Sequence, residues 1–318
     1  MTDILYLILG LIGLFVGGEW LVRGSVSVAQ ALKVPPIVIG LTLVGFGTST
    51  PELVTSLQAA LSGSPGIAVG NVVGSNIGNV LLILALTALL QPVVVNPGAF
   101  KRDGTVLVLA TLVCVAAVLQ GTLGRAAGAV FIIGLAVYLV GTFWQERRRA
   151  TPASEIYEAE ADLVAMKPDG IAKPALLAVA GLVITIVGAR FLVTGAVGLA
   201  QMAGISETVI GLTIVAIGTS TPELVTAIIA VRTGQGDVAF GNIVGSNIFN
   251  LLGILGVTAL VQPLEIPAQV MAFDIWVLLA TTLAFVVFSI TGWRIGRREG
   301  AVLLAAYAAY LATLFLIL

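Results

Sequence analysis

Ten apolar stretches alternate with short polar ones, at about 4–32, 37–61, 66–91, 104–121, 125–144, 172–202, 208–231, 238–262, 271–290 and 299–318. Most approach or exceed the roughly 20 residues that an α-helix needs to cross a hydrocarbon core. Lipid offers no partner to backbone N–H and C=O groups, so only helices and closed barrels span it. Barrel strands alternate in polarity residue by residue, and these runs do not. The pattern predicts an all-α integral membrane protein of ten transmembrane helices.

One phrase stands out because it is written twice. Residues 38–93 and 209–264 align without a gap at an offset of 171, and 34 of 56 positions are identical. The same offset matches Gly10, Gly17 and Gly24 to Gly181, Gly188 and Gly195, and Asp103 to Asp274. Each half is therefore a five-helix unit, 1–144 and 172–318, joined by the polar segment 145–171. Five is odd, so the second unit enters the membrane the opposite way round, as an inverted repeat. The joining segment carries Arg147, Arg148 and Arg149 and then Glu155, Glu158, Glu160, Asp162 and Asp169, and reads as a solvated linker. The first stretch has Asp3 rather than a basic cluster before it and outruns a signal's apolar core, so it reads as a retained helix.

Charge sets the expected orientation. With the N-terminus outside, the inner loops hold Lys33, Lys101, Arg102, Arg147, Arg148, Arg149, Lys167, Lys173, Arg232, Arg294, Arg297 and Arg298, and the outer loops only Arg125. The positive-inside rule then predicts a multi-pass protein of a cell membrane, of prokaryotic type, with both termini outside and the linker cytoplasmic.

Composition narrows the chemistry. Hydrophobic residues make up 58% and charged residues 10%, with a mean hydropathy of +1.11; soluble domains carry about a quarter charged residues. The absence of histidine excludes Ser-His hydrolysis, HExxH zinc chemistry and histidine proton relays. Cys114 is the single cysteine, so no intrachain disulfide forms. A net charge of −1 predicts no nucleic-acid partner, and no cofactor or obligatory protein partner is indicated.

Within the repeated phrase, Gly45-Phe46-Gly47-Thr48-Ser49-Thr50-Pro51-Glu52 interrupts its apolar stretch, and Gly218-Thr219-Ser220-Thr221-Pro222-Glu223 does the same. Glycine weakens a helix and proline cannot continue one, whereas Ser or Thr before proline starts one well. A break near Thr50 and Thr221 follows, with Glu52 and Glu223 in the first turn of each new half-helix. Asn71, Ser75 and Asn79 lie at i, i+4 and i+8 on one helical face, as do Asn242, Ser246 and Asn250. Helices 2, 3, 7 and 8 are expected to be broken and to meet around one centre. A helix-dipole role would stabilise each glutamate by only ~0.3–1 kcal/mol at an exposed surface. A charge at mid-membrane costs at least ~2.5–3.5 kcal/mol. A cation site answers that cost better. Its donors would all be oxygen, which suits Ca²⁺ and Na⁺ rather than zinc or copper. For Ser75, Ser246 and the asparagines, helix–helix hydrogen bonding is the competing role. Glu19 and Arg23, at i and i+4, read as a structural ion pair, with Arg190 at the position matching Glu19. The glycines of stretches one and six read as packing residues, whose smooth faces would also let those helices slide.

At GTSTPE, GNVVGSNIGN and GNIVGSNIFN the sequence resembles the calcium/cation antiporter superfamily, in its sodium/calcium exchanger-like branch. The resemblance covers essentially the whole chain and implies exchange of Ca²⁺ for Na⁺ by alternating access. By motif position it implies Glu52 and Glu223 as the main calcium ligands, with Thr48, Ser49, Thr219 and Ser220 as hydroxyl neighbours. It implies sodium sites using carbonyls near Gly45 and Ala216 together with Ser75 and Ser246. Asn79 and Asn250 take central positions where many relatives carry aspartate, which leaves a charge of −2 and argues against potassium co-transport. Helices 1 and 6 would move across a core of helices 2, 3, 7 and 8. Proton/calcium exchange, a passive cation channel and a carboxylate-liganded metal hydrolase stand as alternatives, in that order.

Overall fold

The computed structural model describes residues 2–34, 46–148, 170–232, 234 and 236–317. The expected break at Thr50 therefore lies within reach, while Gly45, the first half of the second stretch and most of the linker lie outside the described residues.

The described chain is almost entirely helical. In order come α1 (Thr2–Ala31), α2 (Thr50–Leu61), α3 (Pro65–Leu90), α4 (Pro97–Val118) and α5 (Arg125–Arg148). After the linker come α6 (Ala172–Ala203), α7 (Glu207–Thr219), α8 (Thr221–Arg232), α9 (Gly236–Val261), α10 (Val270–Ile290) and α11 (Arg297–Ile317). Among the described residues, seven helices are long and apolar enough to cross a membrane, or eight if the bent pair α7–α8 counts as one span. The helix α4 carries Lys101, Arg102 and Asp103 in its second turn, which shortens its apolar part.

The second stretch of the later repeat breaks as the proline predicts. The helices α7 and α8 meet at 44°, with Ser220 between them. The third and eighth stretches depart from expectation, because α3 and α9 are continuous. Each carries a π-helical segment, Asn79–Leu84 and Phe249–Ile254, that absorbs the polar positions without ending the helix. The glycines of α3 serve close approach: a Cβ on Gly70 would lie 2.7 Å from the carbonyl oxygen of Thr208 in α7. Helices α3 and α9 are the most deeply buried, so their backbone polar groups must pair internally, and the π segment keeps them paired.

Four two-residue strands, unforeseen in the sequence, clip the ends together. Val93–Val94 (β1) pairs antiparallel with Arg294–Ile295 (β4), and Thr122–Leu123 (β2) with Leu264–Glu265 (β3). Each bridge joins a loop of one repeat to a loop of the other.

Helices α1 and α6 pack antiparallel along their glycine stripes. Gly10, Gly17 and Gly24 face Leu192, Thr185 and Ala178, while Gly181, Gly188 and Gly195 face Leu21, Leu14 and Leu7. The smooth faces are thus spent on each other, which welds the two helices into one element, as small residues do in lipid. Their outer faces, with Ile12, Leu176 and Val183, are exposed to what would be lipid.

A Cβ on Gly17 would sit 2.6 Å from the Thr185 backbone. Gly17→Leu is expected to lower the melting temperature, at the ~1–3 kcal/mol typical of overpacking. Gly141→Leu, where nothing lies within 4 Å, serves as control and should leave it unchanged.

Candidate functional site

The two glutamates reach the centre through matching backbone turns. Ser49 (φ −88°, ψ 9°) precedes α2 and Ser220 (φ −80°, ψ 10°) precedes α8. Thr50 and Thr221 are the first helical residues and each proline the second, one place later than a Thr cap with proline at the first position would give. Neither Ser49 nor Thr50 caps α2 with its side chain. Ser49 Oγ instead donates to Glu223 Oε1 at 2.8 Å, and Ser220 Oγ donates to Glu52 Oε1 at 2.9 Å. Each serine thus serves the glutamate of the other repeat. The crossing is possible because both turns place their serine just before a helix start and both glutamates three residues on.

Glu52 and Glu223 are fully buried. Among the described residues the ion pairs are Glu19–Arg23 and Arg102–Asp103, so neither glutamate has a basic partner. Removing a carboxylate from water without a partner costs several kcal/mol even after relaxation. Each Oε2 is buried and makes no hydrogen bond. Ser246 Oγ adds a 3.3 Å bond to Glu223 Oε1, whereas Ser75 Oγ, its counterpart, makes none. Thr48 Oγ1 and Asn79 Oδ1 are likewise buried and free, and both polar atoms of Asn250 are free. The unsatisfied atoms include six oxygens, on Glu52, Glu223, Thr48, Ser75, Asn79 and Asn250. No described cluster holds three or more His, Cys, Asp or Glu. The arrangement offers two carboxylates and neutral oxygens, a donor set for a hard cation.

The remaining predicted residues are engaged within the protein. Thr219 Oγ1 donates to Asn71 Oδ1 at 3.0 Å and to the Ala216 carbonyl at 3.3 Å. That carbonyl also accepts from Ser220 N at 3.0 Å, so the Ala216 oxygen is occupied in this structure. Gly45 lies outside the described residues. Asn71 Nδ2 donates to the Glu52 carbonyl at 3.2 Å and to Ser56 Oγ at 2.9 Å, which ties α3 to α2 directly behind the carboxylate. Two residues that sequence reasoning passed over also stand at the centre. Asn79 Nδ2 donates to Asn247 Oδ1 at 2.9 Å, and Asn247 Nδ2 to the Asn76 carbonyl at 3.4 Å. Their signal was present: Asn76 and Asn247 are matched polar residues in deeply apolar helices.

A cavity of about 310 Å³ reaches this centre from one side. It runs between α1 and α8, past Phe15, Glu19, Arg23 and Thr226, to Thr48 and Pro222. Glu19 and Arg23 pair at 2.8 Å, half-exposed on its wall.

The sequence model of the family described as "Sodium/calcium exchanger protein" matches residues 2–144 and 173–316. The sodium/calcium exchanger MaX1 of Methanosarcina acetivorans is 34% identical, with 99% of each chain covered. The inner membrane protein YrbG of Escherichia coli is 37% identical over 97% of this chain and 95% of its own. A solved structure of the sodium-calcium exchanger NCX_Mj, soaked with Na⁺ and Sr²⁺, superposes with a TM-score of 0.66 at 32% identity, covering 98% of both chains.

Ser49→Ala and Ser220→Ala each leave a buried glutamate oxygen with one donor fewer. Each is expected to destabilise the protein by about 1–3 kcal/mol, read as a fall in the thermal midpoint; an unchanged midpoint would show that the crossed bonds do not hold the halves together.

Proposed function

The chain belongs to the sodium/calcium exchanger protein family, a family of membrane transporters rather than enzymes, and on that premise we propose that it exchanges Ca²⁺ for Na⁺ through one central site. The observation that carries this reading is the pair of buried carboxylates, Glu52 and Glu223, without a basic partner among the described residues. Glu52 and Glu223 bind the cation directly. Thr48, Ser49, Thr219 and Ser220 orient the carboxylates or add hydroxyl oxygens. Ser75, Ser246, and the carbonyls near Gly45 and Ala216, serve Na⁺. Asn79 and Asn250 supply neutral oxygens between them.

The architecture behind this reading is ten transmembrane helices in two inverted repeats, 1–144 and 172–318, around a cytoplasmic linker at 145–171. It is supported by the offset of 171 that relates the motifs, and by the twelve-to-one bias of basic residues. Both termini then lie outside. The welded pair α1–α6 moves across the inner helices and opens the site to alternate sides.

Coupling follows from charge. An empty site carries up to two negative charges, and moving them through a low-dielectric slab is costly. One Ca²⁺ cancels them, and so do Na⁺ ions, so the loaded carrier switches and the empty one does not. Asparagine at positions 79 and 250 keeps the charge at −2. The sodium assignment draws on what MaX1 and NCX_Mj are named for.

The test is ⁴⁵Ca²⁺ flux in proteoliposomes with Na⁺, K⁺ and H⁺ gradients imposed separately. The Na⁺ gradient alone should drive uptake, and Glu52→Gln and Glu223→Gln should each reduce it to background. Uptake driven by a pH gradient without Na⁺ would assign proton coupling instead, uptake without a counter-ion would indicate a channel, and wild-type uptake in either variant would overturn the site.

A further inference from the structure

The two repeats share the paired Thr, Ser, Asn and Glu of their central motifs, yet these do not make the same hydrogen bonds. Three bonds are present on one side of the pseudo-symmetry and missing on the other. Thr219 Oγ1 donates to Asn71 Oδ1 at 3.0 Å, while the counterparts Thr48 Oγ1 and the whole Asn242 amide make no bond. Asn79 Nδ2 donates to Asn247 Oδ1 at 2.9 Å, while Asn250 makes no side-chain bond and Asn76 Oδ1 accepts none. Ser246 Oγ donates to Glu223 Oε1 at 3.3 Å, while its sequence counterpart Ser75 Oγ makes no bond. The crossed serine–glutamate bonds, at 2.8 and 2.9 Å, are made on both sides. Polar groups left unbonded in a dry interior are costly, and one local difference accompanies the asymmetry: Ser56 accepts from Asn71 Nδ2 at 2.9 Å, while alanine stands at the matching position 227.

Packing is asymmetric in the same sense. Leu11 of α1 covers Gly218, so that a Cβ there would collide with the leucine side chain. The counterpart glycine, Gly47, lines the cavity, and Leu182, the counterpart of Leu11, is 42% exposed. One break glycine is covered by a leucine, and its counterpart lines the cavity.

We infer that these residues form a two-position latch. The three bonds present hold the state with the cavity open at Thr48. Their unmade counterparts, Thr48–Asn242, Asn250–Asn76 and Ser75–Glu52, close when the carrier faces the other way and the first set opens. Asn71, Asn76, Asn242 and Asn247 are thereby positioning residues for transport, acting through the site rather than on the ion. The exchange of partners also moves the free oxygens. Thr48 and Ser75 are available in the present state, whereas Thr219 and Ser246 are spent on protein partners. The cation would leave one repeat's hydroxyls for the other's as the carrier turns. This inference rests on the inverted-repeat exchange reading.

Two cysteine reporters test it, placed in a Cys114→Ser background in lipid nanodiscs. Val225→Cys reads the cavity wall, and Val54→Cys, its counterpart, reads the opposite side. Labelling rates are measured with a small charged thiol reagent. Asn71→Ala removes the Thr219–Asn71 bond of the present state, so it should slow labelling at Val225→Cys and speed it at Val54→Cys. Asn242→Ala removes a bond made only in the other state, so it should do the reverse. A change of about threefold or more at each reporter is expected for the loss of one to three buried hydrogen bonds. Asn247→Ala should follow Asn71→Ala, and Asn76→Ala should follow Asn242→Ala, which keeps the test open if one variant fails to fold. Matched asparagines that move both reporters in the same direction, or move neither, overturn the latch. Na⁺-driven Ca²⁺ flux of the unmutated protein, measured in parallel, reports separately on the exchange reading.

Discussion

Two carboxylates buried in a hydrocarbon slab without a basic partner are the constraint on which the rest of the structure depends. Left charged and alone, each would cost more than any local contact here returns. The fold does not remove that cost. It spreads part of it over hydroxyl donors, Ser49 and Ser220 crossing between repeats and Ser246 adding a weaker bond, and leaves one oxygen of each carboxylate open. The break at Ser220, the paired asparagines and the deeply buried helices α3 and α9 frame those two groups.

The crossed serine bonds also make the repeats interdependent. Neither half completes its own glutamate's shell, and the two short strand bridges again join loop to loop across the halves. Without the other repeat, each glutamate would lose its serine donor. The duplication is therefore a condition of the site and not merely its history. Against this fixed centre, the glycine-welded pair α1–α6 is the separate element, packed backbone to backbone within itself and leaving the cavity on one side of its contact with the core.

Much of this was legible in the sequence. Most described helix ends fell within a few residues of the apolar runs, as at Ala172 and Ile290, because hydrocarbon thickness dictates length, whereas α4 begins at Pro97, ahead of its apolar run. The break at Ser220 and the burial of both glutamates followed from proline chemistry and from the cost of charge. The continuity of α3 and α9 was not legible, because π segments carry no residue signature of their own. The diversion of Ser49 from capping to Glu223 was not legible either, since it depends on a partner 174 residues away. The asymmetry between the repeats was barely legible: Asn71 and Asn242 are the same residue type, and only Ser56, matched by Ala227, sets their surroundings apart in the sequence.

Equilibrium binding of ⁴⁵Ca²⁺ to the purified protein tests the central claim most directly, because it isolates the two carboxylates from turnover. One Ca²⁺ per chain should bind, Na⁺ should displace it, and the Glu52→Gln/Glu223→Gln double variant should bind none. Calcium binding that persists in the double variant, with wild-type affinity, would contradict the account.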